Sequence, residues 1–140
     1  MTARERRTIP GKTLLLVDDE ERILAALHRT LRREGYSLLT ATTPQRALRL
    51  LEEERVDLIL TDHKMPGMTG VELLARAARL QPDAARLLIT GWAQAVSREE
   101  IASLGIAAIV PKPWRDDELK DALQQALARP TLSPLQHEFP

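Results

Sequence analysis

Five short apolar runs, each followed by a segment in which apolar residues recur at helical spacing, constrain the fold of this chain more than any other feature. Short and uninterrupted apolar runs are typical of strands that are buried on both faces. Parallel neighbours need a crossover connection, and the intervening helices supply it. The alternation therefore predicts a doubly wound α/β domain with a five-stranded parallel sheet and five helices. The predicted strands are 13–17, 37–41, 56–61, 85–90 and 106–110.

The segments between these strands carry helix start and stop signals. Thr43-Pro44 has the form of a cap followed by a first helical residue, and Ser97 to Glu100 has the form of a capping box. Gly35 and Pro130 are stop signals after the first and last helical patterns. The predicted helices cover 20–33, a segment after Pro44, 71–80, a short segment after Ser97 and about 115–127.

Composition limits the classes of protein to which the chain can belong. Its 140 residues, of which 44% are hydrophobic, suit one domain, and we expect a leader at 1–11, the domain at 12–129 and a tail at 130–140. The 20 basic and 20 acidic residues cancel, so direct binding to nucleic acid or to a membrane surface is not expected. The chain has no cysteine, and its charged opening lacks the apolar core of a signal peptide. We expect a cytoplasmic protein.

Polar residues follow four of the predicted strands at the point where each strand ends. Asp18-Asp19 follow the first strand, Asp62 the third, Thr90 ends the fourth, and Lys112 lies just after the fifth. In open α/β sheets, ligands bind beyond the carboxyl ends of the strands. Three acids, a hydroxyl and an amine are therefore expected to converge there.

This set of groups suits phosphoryl transfer. Crowded carboxylates repel one another unless a hard cation such as Mg²⁺ lies between them, and Mg²⁺ leaves room for phosphate oxygens. A lysine ammonium balances further charge, a threonine hydroxyl donates to a phosphoryl oxygen, and a carboxylate can form an acyl phosphate. Asp62 is then the predicted nucleophile, with Thr90 and Lys112 as its partners.

Taken together, these residues resemble the two-component receiver domain, over roughly residues 12–128. The resemblance implies a flavodoxin-like fold with strand order 2-1-3-4-5 and Asp62 as the phosphoacceptor. It also implies that Asp19 and Asp62 bind Mg²⁺ directly, Asp18 binds it through water, and the backbone carbonyl of Lys64 completes the protein ligands. The motifs that carry the resemblance are Asp18-Asp19, Asp62 with Met65-Pro66 and Gly70, Thr90-Gly91 and Lys112-Pro113.

The same resemblance implies that Lys112 contacts the phosphoryl group, that Thr90 reorients on activation, and that the Lys112-Pro113 bond is cis. One position departs from the family pattern. The family often has an aromatic residue three positions before the lysine, and this chain has Ile109 there. The usual coupling of threonine to an aromatic residue is therefore in doubt, and Ile109 is expected to be a core residue.

The receiver resemblance implies a switch rather than an enzyme, with at most weak self-phosphorylation and autodephosphorylation. The phosphoryl donor would be a sensor histidine kinase or a phosphotransfer protein. Phosphorylation would shift an equilibrium at the face formed by the fourth helix, fifth strand and fifth helix, through which a homodimer or another partner would bind. The candidates for that face are Ile101, Leu104, Ile106 and Arg115.

Both tryptophans follow a predicted site residue by two positions, and neither is expected to be ordinary core. Trp92 is predicted to restrict water at the site and to change the lifetime of the phosphate, with packing or partner contact as its alternative. His63 is predicted to be a bystander beside the acceptor. The phrases Thr90-Gly91-Trp92 and Lys112-Pro113-Trp114 also resemble receivers fused to cyclic-dinucleotide phosphodiesterases of the HD type.

Three other functions compete with the phosphoreceiver. A receiver-like module that binds partners without phosphate is disfavoured because all five site side chains are present. An aspartyl phosphatase or isomerase would normally have a second acid two residues after the first, and Lys64 stands there. A flavin-binding domain would cradle phosphate after the first strand, where Asp18-Asp19-Glu20 would repel it.

Overall fold

Each predicted apolar run becomes a strand of one parallel sheet. The computed structural model describes residues 11–128, so the predicted tail and all of the predicted leader except Gly11 lie outside the described residues. The strands are β1 (Thr13–Val17), β2 (Ser37–Ala41), β3 (Leu58–Asp62), β4 (Ala85–Thr90) and β5 (Ile106–Pro111). The helices are α1 (Glu21–Leu31), α2 (Pro44–Glu53), α3 (Gly70–Leu80), α4 (Arg98–Leu104) and α5 (Asp116–Ala128), with a short 3₁₀ helix at Ala93–Ala95.

The strands pair in the order β2-β1-β3-β4-β5, and every pairing is parallel. This order and the doubly wound α/β class confirm the predicted fold. The register aligns the strand ends, because Val17 pairs with Thr61, Asp62 pairs with Ile89, and Thr90 pairs with Pro111. The polar residues that end β1, β3, β4 and β5 therefore meet at one edge of the sheet.

Two apolar cores lie on the two faces of the sheet. Successive side chains of a strand point to opposite faces, so strands that are apolar throughout fill both cores. Leu15 and Ile59 belong to the core that α2, α3 and α4 cover, whereas Leu14 and Leu60 belong to the core that α1 and α5 cover. Sandwiching the sheet in this way holds the strand ends in a rigid frame.

The third strand starts two residues later than the sequence predicted. Val56 is buried, as expected of a strand residue, but its backbone N–H donates to the side-chain Oε1 of Gln81 at 2.9 Å. A side chain from the end of α3 thus replaces a neighbouring strand as the partner of this backbone group. The strand proper begins at Leu58, which pairs with Leu14 of β1.

The helix starts follow the predicted caps. The Thr43 hydroxyl accepts from the N–H of Arg46, and Ser97 and Glu100 form the predicted capping box. A second capping box, between Thr69 and Glu72, begins α3 and was not predicted, although its T-x-x-E pattern is present in the sequence. Within residues 11–128, no helix is both long enough and apolar enough to cross a membrane.

Candidate functional site

The three predicted acids meet beyond the carboxyl edge of the sheet. Asp18, Asp19 and Asp62 each offer a carboxylate oxygen, and these oxygens lie within 4.8 Å of one another. Asp18 is fully buried, Asp62 is 7% exposed, and Asp19 faces solvent. Asp18 is held in place because its Oδ1 accepts from the N–H of Glu20 at 2.9 Å, just before α1. The cluster therefore combines two buried carboxylates with one that solvent reaches.

Lys112 joins this cluster from the loop after β5. Its Nζ donates to Asp18 Oδ2 at 2.8 Å and lies 3.3 Å from Asp62 Oδ1. The Lys112 N–H donates to the carbonyl of Thr90 at 3.0 Å, which anchors the loop to the end of β4. The Lys112-Pro113 peptide bond is cis, as the resemblance implied. One ammonium thus lies between two buried carboxylates.

The charges at this site are only partly balanced. Burial raises the pKa of the Asp62 carboxyl above its ordinary value, and the negative charge of Asp18 raises it further, while Lys112 and the His63 N–H oppose the rise. Burial by itself would lower the pKa of Lys112, but its hydrogen bond and charge interaction with Asp18, together with Asp62, raise it. Lys112 is therefore firmly protonated, and the carboxylate of Asp62 still lacks full compensation.

Thr90 ends β4 beside these groups and is 5% exposed. Its Oγ1 accepts a hydrogen bond from the backbone N–H of Trp92 at 3.1 Å. A hydroxyl has one proton and two lone pairs, so the Thr90 proton remains available for a further acceptor. The structure thus places a hydroxyl donor on the strand next to Asp62.

Gly70 lets α3 begin directly against the end of β3. A Cβ at this position would collide with the backbone carbonyl oxygen of Asp62 and would come within 2.9 Å of His63 Cα. The Gly70 N–H also donates to the His63 carbonyl at 2.6 Å. A side chain here would displace backbone, so Gly70 is required for the position of Asp62.

Three further residues lie at the edge of the site, two in the loop after β3 and one in the loop after β4. The His63 N–H donates to Asp62 Oδ1 at 2.9 Å, and the His63 side chain is buried with Nδ1 unpartnered. Lys64 is exposed, and its Nζ lies 5.1 Å from the centre of the Trp92 ring. Trp92 itself is 61% exposed. The contact between Lys64 and Trp92 was not predicted, because residues 28 positions apart give no pairing signal in a single sequence.

One prediction about the surroundings of the site was wrong. Ile106 was a candidate for an exposed face but is 6% exposed in the core, because it opens β5 on the side that α4 covers. Trp114, which was expected not to be an ordinary core residue, is half-buried and packs against the edge of the core under α1 and α5. Its indole N–H donates to Asp116 Oδ1 at 3.2 Å.

The other residues of the predicted face remain accessible to different degrees. Ile101 and Leu104 are partly buried against the core, Ile109 packs there as expected of a core residue, and Arg115 is exposed.

Comparison with known proteins places this site in a family. Residues 14–124 match the model of the response regulator receiver domain. The chain belongs to the response regulator receiver family. It is 32% identical to sporulation initiation phosphotransferase F of Bacillus subtilis over 117 residues, which is 84% of this chain and 94% of that protein. The family assignment made from the strand-end residues is therefore confirmed.

Some relatives are much longer than this chain. The hydrogenase transcriptional regulatory protein HoxA of Bradyrhizobium diazoefficiens is 40% identical over 118 residues, which cover 82% of this chain and 24% of HoxA. The chain therefore spans about a quarter of the length of that regulator.

Two solved structures are similar to this one. The signal receiver domain of an HD domain-containing protein from Pseudomonas fluorescens is 36% identical, with a TM-score of 0.76 over 91% of this chain and 98% of that one. This similarity agrees with the predicted resemblance to receivers of HD-type proteins. The response regulator TrrA of Thermotoga maritima, solved in complex with Mg²⁺ and BeF, is 32% identical, with a TM-score of 0.74 over 83% of this chain and 99% of TrrA.

Proposed function

We propose that this receiver domain, with bounds near 12–129, accepts a phosphoryl group on Asp62 in a Mg²⁺-dependent reaction. The observation that carries the proposal is the cluster of Asp18, Asp19 and Asp62 with Lys112 bridging its two buried members. Asp62 is the acid of this cluster that ends the central strand β3, between the strands that carry the other groups. Family membership over residues 14–124 supports the same chemistry.

The residues present fit a hard divalent cation. Three carboxylate oxygens within 4.8 Å of one another form a donor set of the type that Mg²⁺ prefers, and among the described residues Lys112 is the one ammonium that contacts them. The pKa of Asp62 is raised mainly by burial and further by the charge of Asp18, and a bound cation would oppose both effects. Asp18, Asp19, Asp62 and the backbone carbonyl of Lys64 would hold the ion. When bound, Mg²⁺ neutralises phosphoryl oxygens and stabilises the charge that develops in the transition state. The complex of TrrA with Mg²⁺ and BeF supports this assignment.

The side chains divide the work of phosphoryl transfer. A carboxylate oxygen of Asp62 attacks phosphorus while the bond from phosphorus to the donor breaks, and the leaving atom keeps the electron pair. Lys112 already lies 3.3 Å from Asp62, so its ammonium is placed to pair with a phosphoryl oxygen. The free proton of the Thr90 hydroxyl supplies a further hydrogen bond. These groups position and stabilise charge, which makes the domain a phosphoacceptor switch rather than an enzyme with a separate substrate.

The phosphoryl donor we propose is the phosphohistidine of a sensor kinase or a phosphotransfer protein. A groove of about 700 Å³ with a mixed apolar and charged lining opens beside Lys112, between α1 and the loop before α5, and offers such a partner a surface near the site. Its lining includes Ile23, Ala26, Pro113 and Trp114. A protein donor seated there would bring its imidazole to the carboxyl edge of the sheet.

The proposed output is a change in contacts at the face of α4, β5 and α5. Ile101, Leu104 and Arg115 are the candidate contact residues of this face, whereas Ile106 is buried and cannot contact a partner. A homodimer through this face is one form that the output would take. A cytoplasmic location is part of the proposal and follows from membership of the receiver family. The balanced charge of the chain supports contact with protein rather than with DNA.

The decisive experiment is incubation with acetyl phosphate, with and without Mg²⁺, followed by intact mass measurement. We expect the mass of one phosphoryl group to be added to the wild-type chain only when Mg²⁺ is present. Asp62→Asn should abolish the addition. Asp57→Asn is the matched control, because it removes an acid from the residue just before the same strand and should leave phosphorylation in place.

A folded wild-type chain that never gains mass would overturn the proposal and favour a module that binds partners without phosphate. Gain of mass in Asp62→Asn would place the acceptor on another residue. Beryllofluoride binding, measured in parallel, tests the pocket without requiring a donor to react.

A further inference from the structure

The Thr90 hydroxyl is tied to Trp92 through the backbone. Thr90 Oγ1 accepts from the Trp92 N–H at 3.1 Å, and this bond occupies one of the two lone pairs of the oxygen. If Thr90 moves toward a phosphoryl group on Asp62, this bond breaks or the backbone of Trp92 follows. The position of Trp92 is therefore linked to the position of the hydroxyl.

The Trp92 ring is tied to the loop that follows the acceptor. Lys64 Nζ lies 5.1 Å from the ring centre, within the range of a cation-π interaction, and Lys64 follows Asp62 by two residues. The ring is otherwise 61% exposed. Trp92 thus connects the loop after β3, which follows Asp62, with the loop after β4, which follows Thr90.

The other tryptophan and the tyrosine of the described chain lie away from Thr90. Tyr36 lies before β2, at the amino edge of the sheet, and Trp114 packs against the core under α1 and α5. Ile109 packs against the opposite core on β5. Among residues 11–128, Trp92 is the aromatic side chain that stands next to Thr90.

We propose that Lys64 and Trp92 form a latch that holds Thr90 in its resting position, and that a phosphoryl group on Asp62 opens the latch. The inference rests on the proposed phosphorylation of Asp62. A phosphoryl dianion two residues away competes for the Lys64 ammonium, and charge-assisted bonds to phosphate oxygens are stronger than a solvent-exposed cation-π contact. Release of Lys64 frees the exposed ring of Trp92. The ring of Trp92 then moves with Thr90, as the aromatic residue that receivers often have at the position of Ile109 would do.

The latch is tested by a double-mutant cycle on beryllofluoride affinity in saturating Mg²⁺, followed by amide shifts in NMR spectra. Trp92→Ala removes the resting contact but retains the N–H that bonds to Thr90. We expect it to tighten apparent binding about two- to five-fold, the size of an exposed cation-π contact. The same substitution in a Lys64→Gln background should have no effect on affinity.

Conservative and matched variants separate a latch from a general change of charge. Lys64→Arg retains a cation over the ring, so Trp92→Ala should again tighten binding in that background. Arg49→Gln removes an exposed cation on α2 and should leave the effect of Trp92→Ala unchanged. In a Trp114→Phe background, where Trp92 is the one remaining tryptophan, its fluorescence should change on binding, and Lys64→Gln should remove that change.

An equal effect of Trp92→Ala on affinity with and without Lys64 would overturn the latch. If the wild-type protein still bound beryllofluoride in that case, the proposed function would stand. Absence of binding to folded wild-type protein would overturn both. A coupling of about two-fold or more between Lys64 and Trp92 supports the latch.

Discussion

The two ends of β3 each carry an acid, and the two acids have opposite surroundings. Asp57, just before the strand, accepts the Thr13 N–H on its Oδ2 at 2.8 Å, and its own backbone N–H and carbonyl bond to Thr13 and Ala85. Asp62, at the other end, lies among Asp18, Asp19 and Lys112. The carboxylate of Asp57 accepts a backbone N–H that fixes β1 beside β3, whereas the carboxylate of Asp62 lies buried beside another carboxylate, so burial and the charge of Asp18 raise its pKa. This difference separates a structural acid from a candidate nucleophile.

The same contrast holds for the elements beside each end. At the amino end, the Gln81 amide donates to the carbonyls of Leu51 and Glu54 and accepts from the Val56 N–H, so the side chain joins the ends of α2 and α3 to the segment before β3. At the carboxyl end, the Thr90 hydroxyl accepts one bond and keeps a free proton. The polar groups that Gln81 contacts at the amino end are hydrogen-bonded within the protein. The Thr90 hydroxyl at the carboxyl end can still donate a hydrogen bond to a ligand.

The largest effect is expected from Gly70→Ala, which tests how tightly the carboxyl end is built. The added Cβ meets the backbone of Asp62 and His63, which cannot move aside as a flexible side chain would. We expect a loss of about 3 kcal/mol in the free energy of unfolding, measured by urea denaturation. Gly91→Ala is the matched control, because its Cβ would lie at an ordinary 3.4 Å from the Lys112 carbonyl. Similar losses in both variants would contradict this account.

Mg²⁺ should stabilise the carboxyl end alone. At about 100 times its dissociation constant, an ion that binds only the folded state adds about 2.7 kcal/mol. We expect thermal unfolding to show this gain in wild-type protein and in Asp57→Asn, and to show a smaller gain in Asp19→Asn. An equal response in all three proteins would indicate that the ion binds elsewhere.

Gln81→Ala should weaken the amino end without affecting phosphorylation. It leaves the Val56 N–H and two carbonyls without their side-chain partner, which should lower the free energy of unfolding by about 2 kcal/mol. Urea denaturation measures the loss, and the acetyl phosphate assay should give the wild-type yield in conditions where the variant is folded. A loss of phosphorylation in folded protein would mean that the two ends are coupled.

The smallest effect is expected from Asp62→Asn in the absence of Mg²⁺. The pKa of Asp62 is raised in the folded state, so the ionised carboxylate opposes folding, and the contribution of Asp62 is lost as the pH rises through its folded pKa. At neutral pH the variant should therefore be more stable than wild type by on the order of 1 kcal/mol. The gain should vanish below the unfolded pKa of about 3.9. Asp57→Asn should not stabilise the protein, since the Asp57 carboxylate accepts the Thr13 N–H and lies outside the cluster of Asp18, Asp19 and Asp62.

Much of the fold followed from short-range signals. The bounds predicted for β1, β2 and β4 match the structure, because each is a short, mainly apolar segment that is followed by a polar residue or a glycine. The caps at Thr43 and Ser97 were predicted because a capping hydroxyl bonds to an N–H three residues away along the chain. The location of the candidate site could also be predicted from the sequence, since parallel strands in a doubly wound sheet bring their carboxyl ends to one edge.

Contacts between distant segments had to come from the tertiary structure. The sequence by itself determined which residues end the strands, and therefore that Asp18, Asp62, Thr90 and Lys112 share an edge. Only the folded chain decided that Lys112 lies nearer to Asp18 than to Asp62, that Gln81 takes the place of a strand partner for Val56, and that Ile106 is buried. The physical reason is that periodicity and capping act over a few residues, whereas partner choice and burial depend on packing between segments that are far apart in the chain.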